Sequence, residues 1–492
     1  MSFFGDKNLS VQQRLERALR DNDHATIYEI SRKRLQKNPS DQLSIKLLLF
    51  GSKHDNKTFP RLLKYKDLIK FPDKIQAEID YEALLMLLDI IHACDSLANA
   101  LSYTAQYIDR LSPQNAYYNE LLFSTMGVKF ADFAEPSLSL KYHMRALSEP
   151  GSSFLSQYNY GHSLIAFGKF EEAINPYKSR WAWPQFPSIE RKFSFPELPL
   201  DRLTELVSTT KIFVWSEQGI GDQLLWCTSV LLLQKMGFSN ITFEVHSKLR
   251  GLMKDSFPGI QLLEQPYTVE GFDSQDDPNF SADSYDYHIS CADLFLKLQK
   301  SFEEAQSLPK VLKFQNTYGL KFRQTIQEDQ PDKVLIGIHW SSGIIDPVRQ
   351  RTYLTEDDLT TLSQLNDRVV FVSFNYALTV EEVADVRSRT GLNLVGIQGI
   401  DQRNDLYSAT SLMVGMDLFL GVYSSPTIQA ALAGIPTVSF AVSENPERAN
   451  PKLSVAPNHR CMIGTVGFKR DMLEDIVKNF GNVLTWASQV RL

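Results

Sequence analysis

Between residues 11 and 183, apolar side chains recur at intervals of three and four, as in YEALLMLLDIIHA (residues 81 to 93), and strand-like alternation is scarce. That spacing predicts a helical domain over residues 1 to 185. Past the proline-marked stretch from 184 to 199 the texture changes to short apolar runs alternating with longer helical ones. KIFVWS (211 to 216) predicts a strand, EQGIGD (217 to 222) a glycine-bearing turn, and QLLWCTSVLLLQKMG (223 to 237) a helix ending at a glycine. ITFEVHS (241 to 247) is the next strand, and DYHISCADLFLKL (286 to 298) continues the alternation. A polar linker, QEDQPDK (327 to 333), precedes a second series: VLIGIHW (334 to 340), VVFVSFN (369 to 375), LNLVGIQ (392 to 398), DLFLGV (417 to 422) and PTVSFA (436 to 441). Two parallel-sheet domains in tandem are expected, over 186 to 325 and 326 to 492, with the carboxyl ends of both sheets around one cleft.

Within the helical region, FLSQYNYGHSLIAFGKFEEAINPYKSRW (154 to 181) carries Gly161, Leu164, Gly168, Phe170, Ala173 and Tyr177 in a fixed spacing. Small residues at Gly161 and Ala173 let two antiparallel helices cross closely, and Gly168 permits the turn between them. A step of 34 back from Gly161 meets Gly127 and then Ala93; the same step from Ala173 meets Ser139 and then Ala105. That period suggests a solenoid of helical pairs. The segment resembles a tetratricopeptide repeat (TPR), best at 154 to 181 and more weakly at 120 to 150. Its concave face would hold a peptide; alternatively, degenerate repeats cap the next domain or join two copies of the chain. The run Arg32, Lys33, Arg34 and Lys37 is expected on a solvated helix face.

Composition narrows the partners. With 43% hydrophobic and 22% charged residues the chain can bury large cores. Lys+Arg 51 against Asp+Glu 58 gives a net charge of -7 without a dense basic block, so nucleic acid is not expected as a partner. Cys94, Cys227, Cys291 and Cys461 lack C-x-x-C spacing, which predicts neither a disulfide framework nor a thiolate metal site. The opening MSFFGDKNLS is unlike a secretory signal, and no apolar run reaches the ~18 residues of a membrane span. A soluble, cytoplasmic protein is expected.

Three turns carry candidate chemistry. Gly219-Ile220-Gly221-Asp222 opens a helix, where glycines admit a ligand to the backbone and free N–H groups favour anions; Asp222 could equally be a plain helix cap. HWSSG (339 to 343), followed by Arg349, Arg351 and Thr352, offers hydroxyl and guanidinium donors suited to a diphosphate, or is a polar loop with surface arginines. His339 and Trp340 are expected as wall residues. GVYSSPTIQAALAGIPTVSF (421 to 440) is the most informative: a strand ends at Val422, Ser424 and Ser425 open a helix with Pro426 in its first turn, and Gly434 closes it. Hydroxyls and N–H groups at that terminus form a phosphate cradle, although a serine cap would account for one of them.

In order, GKFEEAINPYKSRW leading into FVWSEQGIGDQLLW, GIHWSSG with its arginines, and SSPTIQAALAGIPTV resemble a tetratricopeptide-repeat protein fused to a two-Rossmann (GT-B) glycosyltransferase. The likeness is to the ADP-heptose:lipopolysaccharide heptosyltransferases (glycosyltransferase family 9) and, more distantly, protein O-GlcNAc transferases, over about residues 120 to 485. It implies an α plus α/β fold, a helical TPR-like domain followed by two Rossmann-like domains. The implied activity is inverting, metal-independent transfer of a sugar from a nucleotide-diphosphate donor to a protein or glycan acceptor, with no cofactor beyond that co-substrate. By the same resemblance Asp222 is the acceptor base, with Glu217 as fallback or orienting partner. Donor binding falls to Gly219, Gly221, Ser341, Ser342, Gly343, Arg349, Arg351, Ser424, Ser425 and Thr427. Two positions depart from the family, Tyr423 for its usual Asp and Ile428 for its usual His, which leaves the donor's identity open. No Asp-x-Asp metal motif stands in the two sheet regions. The alternatives are a non-catalytic TPR scaffold on a degenerate GT-B unit, or a sugar-nucleotide epimerase of the same two-lobed shape.

Overall fold

The computed structural model describes the chain apart from residues 1–9, 55–70, 72, 76, 95–96, 133–134, 185, 187–190, 266–279, 299–309, 316, 344–352, 443–455, 465–468 and 492. It divides into two compact units, one made of residues 1–160 and one that begins at Gly161 and contains both sheets.

The first unit is helical among its described residues: α1 (Val11–Arg20), α2 (His24–Lys37), α3 (Gln42–His54), α4 (Glu78–Cys94), α5 (Leu97–Ile108), α6 (Ala116–Asp132) and α7 (Pro136–Leu147). Caps define where helices begin. Ser10 and Gln13 exchange hydrogen bonds across the first turn of α1, and Asp23 accepts from the Thr26 N–H at the start of α2. The apolar stripes close on a core that includes Tyr28, Leu49, Tyr81, Leu84, Phe123 and Met126. At the crossing of α6 and α7, a Cβ on Gly127 would stand 2.6 Å from the His143 ring, and the Ser139 hydroxyl donates to Gly127 O at 2.7 Å. The next hairpin, α8 (Phe154–Ala166) and α9 (Phe170–Lys178), repeats the device. There a Cβ on Gly161 would meet Tyr177 N at 2.6 Å, Ala173 is fully buried, and Gly168 makes the turn at φ +72°. Gly127, Ser139, Gly161 and Ala173, four of the residues picked out by the 34-residue step, therefore sit at close helix crossings.

Helical structure reaches Ala182 through a short 3₁₀ turn, Ser179–Ala182, yet the compact units part inside α8 at residue 160, earlier than the boundary at 185 expected from periodicity. The cause is packing. The last hairpin lies against the first sheet's helices, with Phe170 edge-on to Phe295 at 5.8 Å, and so joins the sheet-bearing unit.

The first sheet contains β1 (Lys211–Trp215), β2 (Asn240–His246), β3 (Gln261–Gln265) and β4 (Tyr287–Ser290), all parallel, in the order β3-β2-β1-β4. Its helices are α10 (Ile220–Lys235), α11 (Arg250–Ser256) and α12 (Cys291–Leu298). The second has β5 (Val334–His339), β6 (Val369–Ser373), β7 (Leu394–Val395), β8 (Leu418–Val422), β9 (Thr437–Val442) and β10 (His459–Gly464), parallel in the order β10-β9-β8-β5-β6-β7. Around it stand α13 (Thr317–Asp329), α14 (Glu356–Leu362), α15 (Val380–Thr390), α16 (Leu406–Met413), α17 (Ser425–Leu432), α18 (Lys469–Lys478) and α19 (Phe480–Val490). Central strands are buried along their whole length, which is why they read as continuous apolar runs. Strand order reverses beside β1 in the first sheet and beside β5 in the second, and ligands of such sheets bind outside the carboxyl ends of strands at that reversal. Among the described residues no helix is long and apolar enough to cross a membrane.

Candidate functional site

The first candidate turn begins where β1 ends. Ser216 and Glu217 are buried, Gln218 takes a left-handed φ of +60°, and Gly219, in extended conformation, caps α10. The Asp222 carboxylate accepts from Gly219 N at 3.3 Å, so the cap anticipated from sequence exists, on a side chain that remains half-exposed.

Glu217 has a different task from the one sequence suggested. Arg180, in the 3₁₀ turn after α9, donates from Nε to Oε2 at 2.9 Å and from Nη2 to Oε1 at 2.8 Å. The same guanidinium reaches Ser290 Oγ at 3.1 Å, Asp293 at 3.0 Å and Tyr177 O at 3.1 Å. It lies 4.1 Å from the Trp181 ring centre and 4.5 Å from that of Tyr177, with no exposure to solvent. Burial works against its charge, and the carboxylates of Glu217 and Asp293 outweigh burial, so its pKa is raised and it stays protonated. Burial also pushes the Glu217 carboxyl up, against the pull of Arg180. With both oxygens engaged and 1% of its surface exposed, Glu217 is an internal anchor and poorly suited to take a proton from an acceptor. A second arginine repeats the pattern: Arg191 pairs with buried Glu244 of β2, whose other oxygen accepts from Ser216 N.

The second sheet presents neutral groups at the corresponding end. Past β5, the Ser341 hydroxyl lies 2.9 Å from the side chain of buried Asn375, Ser342 Oγ lies 3.5 Å from the Tyr376 hydroxyl, and Gly343 N donates to that hydroxyl at 3.1 Å. His339 is fully buried, hydrogen-bonded through Nδ1 to Phe374 O at 3.1 Å and stacked on Tyr376. Its Nε2 has no partner among the described residues, and burial lowers its pKa to about 4, so the ring is neutral. Past β8, Ser424 caps α17 while its hydroxyl donates to Val422 O at 3.0 Å. Thr427 Oγ1, wholly buried, accepts from Ser424 N at 2.9 Å and donates back toward the Val422 and Ser424 carbonyls. Thr427 therefore shapes the cap rather than facing outward. Arg349 and Arg351 lie outside the described residues.

The two turns meet. A Cβ on Gly221 would stand 2.7 Å from Ser425 Oγ, so the amino-terminal turns of α10 and α17 touch, one from each sheet. Tyr423 lies at the junction, stacked on His459 at 6.3 Å; burial pushes its hydroxyl well above the ordinary value, and the charge of Asp222 adds to the push. Gly219, Gly221, Asp222, Ser424 and Ser425 are thus assembled, and Ser341, Ser342 and Gly343 stand at the end of β5, the strand beside β8. Sequence reasoning missed Asn375, Tyr376 and Arg180. For the first two, the end of a predicted strand was the available signal, Asn375 being its last residue and Tyr376 the next; for Arg180, a lone charge in an aromatic stretch. Among the described residues no group of three or more His, Cys, Asp or Glu could hold a metal ion.

No family model matches the chain. Protein FlbA of Caulobacter vibrioides is 24% identical over 337 residues, 65% of this chain and 53% of FlbA; the chain spans about half the length of that curated relative. Similar solved structures include a glycosyl transferase of family 9 from Veillonella parvula, with TM-score 0.40 and 13% identity over 57% of this chain and 99% of that one. The ADP-heptose lipopolysaccharide heptosyltransferase II of E. coli has TM-score 0.40 and 11% identity over 57% of this chain and 100% of that one. A mutant O-GlcNAc transferase of Thermobaculum terrenum has TM-score 0.31 and 10% identity over 98% of this chain and 91% of that one.

Proposed function

We propose that the chain is a GT-B glycosyltransferase with TPR-like helices before it, moving a sugar from a nucleotide-diphosphate donor to a protein or glycan hydroxyl with inversion and without a metal. The observation that carries it is the contact of two helix N-termini at Gly221 and Ser425, with a carboxylate on one side and hydroxyls and N–H groups on the other. In the proposed step Asp222 takes the acceptor's hydroxyl proton as its oxygen attacks the anomeric carbon. The bond from that carbon to the diphosphate oxygen breaks, and the electron pair leaves on the diphosphate. Its charge falls to Ser424, Ser425 and the N–H groups of α17, with Ser341, Ser342 and Gly343 as further donors and Arg349 and Arg351 expected beside them. Glu217 is assigned to holding the turn.

Asp222→Asn tests the assignment, because Asn still caps the helix while losing the base. Turnover should fall on the order of 100-fold or more with donor affinity unchanged; unchanged turnover removes Asp222 from the chemistry. Tyr423, packed at the junction where the resemblance expects an Asp, favours the scaffold alternative. A thermal-shift screen with UDP, GDP, ADP, CMP and TDP separates the two, since a ligand of the native state raises its melting temperature. A scaffold without a donor site would respond to none.

A further inference from the structure

The last helical hairpin touches the turn that carries Asp222 at two successive residues. Arg180 fixes Glu217 by paired hydrogen bonds to both carboxylate oxygens, and the Gln218 side chain donates from Nε2 to the Tyr177 hydroxyl at 2.7 Å. Gln218 is also the residue of this turn whose φ is positive, at +60°. Glycine is the residue that accepts such a backbone freely, and a glycine stands next door at 219, in ordinary extended conformation. The turn thus places its left-handed bend on a side chain that Tyr177 grips rather than on an adjacent residue that needs no grip. A non-glycine residue held in that region persists where its surroundings over-determine it, and such residues gather at functional turns.

We infer that Tyr177, braced by Arg180, is a positioning residue: it holds Gln218 in its left-handed conformation and so fixes where α10 begins and where Asp222 stands. Tyr177 and Arg180 are themselves tied, ring against guanidinium and carbonyl to Nη1, so the two grips form one body. The catalytic part rests on the assignment of Asp222 as base; the conformational part does not.

Tyr177→Phe removes the hydroxyl and keeps the ring over Arg180, so the fold should survive. Amide exchange measured by mass spectrometry across residues 216–222 should quicken in this variant relative to wild type. Turnover should fall about 10- to 100-fold with the KM for the donor unchanged, the pattern of a displaced reacting group. Adding Gln218→Gly supplies a residue that takes the bend without help, and the double variant should recover turnover and protection toward wild type. Unchanged exchange in Tyr177→Phe, or a double variant no better than the single, overturns the inference. Where the wild type transfers no sugar, the glycosyltransferase proposal fails and the exchange measurement still decides the role of Tyr177.

Discussion

The four strands of the first sheet follow the order of the first four strands of the six-stranded second one, and the two sheets differ at their carboxyl ends. Beside β1, where the first sheet reverses order, Arg180 fills the space between the turn after β1 and the start of α12, its charge met by Glu217 and Asp293. Arg191 does the same for Glu244 of β2. Beside β5 in the second sheet stand serine hydroxyls, helix N–H groups and the Nε2 of His339, which has no partner among the described residues. Carboxylates that line a crevice and already share the chain's own guanidinium would repel a diphosphate. Under the proposed function the first sheet would be the acceptor side, with the partly exposed carboxylate of Asp222 toward a donor seated on the second.

The largest effect should come from emptying the filled crevice. Arg180→Ala leaves Glu217 and Asp293 buried without their cation, which costs about 3 to 5 kcal/mol. In the second domain Arg323 pairs with Asp417 at 2.8 Å with both side chains partly exposed, and Arg323→Ala should cost about 1 kcal/mol or less. Urea titration of both variants measures the contrast. Equal losses would mean that the first crevice is no more tightly closed than an ordinary ion pair.

These buried pairs also mark what sequence could and could not reveal. Strand and turn positions were legible, because strands buried on both faces read as apolar runs and each run ends at a glycine or serine turn. The turns after β1, β5 and β8 were therefore found with their residues. Missed elements lie toward sheet edges: β3 has one fully buried position of five, and β10 opens on His459 and Arg460. The seven-residue run expected at 392 to 398 contracts to Leu394–Val395, where Gly396 packs against Val380. Arg180 and Glu217 are 37 positions apart, and Arg191 and Glu244 are 53 apart; no local spacing joins them, so the filling of the first crevice was invisible. Glu217 passes for a base in sequence for the same reason, because only folding brings its partner near.

A smaller effect should come from disturbing the open crevice. Replacing Ser424 and Ser425 together with Ala removes two hydroxyls at the start of α17 and should weaken nucleotide-diphosphate binding by about 1.5 to 3 kcal/mol for each charged hydrogen bond lost. Stability should change little, since the Ser424 cap is closed through its backbone N–H and Thr427. Calorimetry with the nucleotide found by the thermal screen measures the first quantity, and denaturant midpoints the second. Affinity unchanged in the double variant would remove the cradle from the second sheet and, with it, the contrast between the two ends.

The smallest effect separates the two ends by acid. Arg180 keeps its charge at any moderate pH, whereas His339 has its pKa lowered from 6.5 to about 4 and His459 to about 3, both by burial. His246 and His288 of the first sheet are lowered as well, chiefly by burial. For a histidine whose folded pKa lies below its unfolded one, the unfolded chain binds more protons between those values, so stability is intact above about 6.5 and is lost as pH falls toward 4. Between pH 7 and pH 5, His339 alone should account for about 1 to 2 kcal/mol of that loss. His339→Gln keeps a donor for Phe374 O and cannot titrate, so its stability should fall less than that of the wild type over the same interval. Denaturant midpoints of both proteins at the two pH values give the comparison. A ligand donor at Nε2 would hold the ring neutral and lower its folded pKa further, so bound nucleotide should not shrink the wild-type loss. An identical pH dependence for His339→Gln and wild type would show that the ring takes up its proton in the folded protein as it does in the unfolded chain, and that the second sheet's end is no more sensitive to acid than the first.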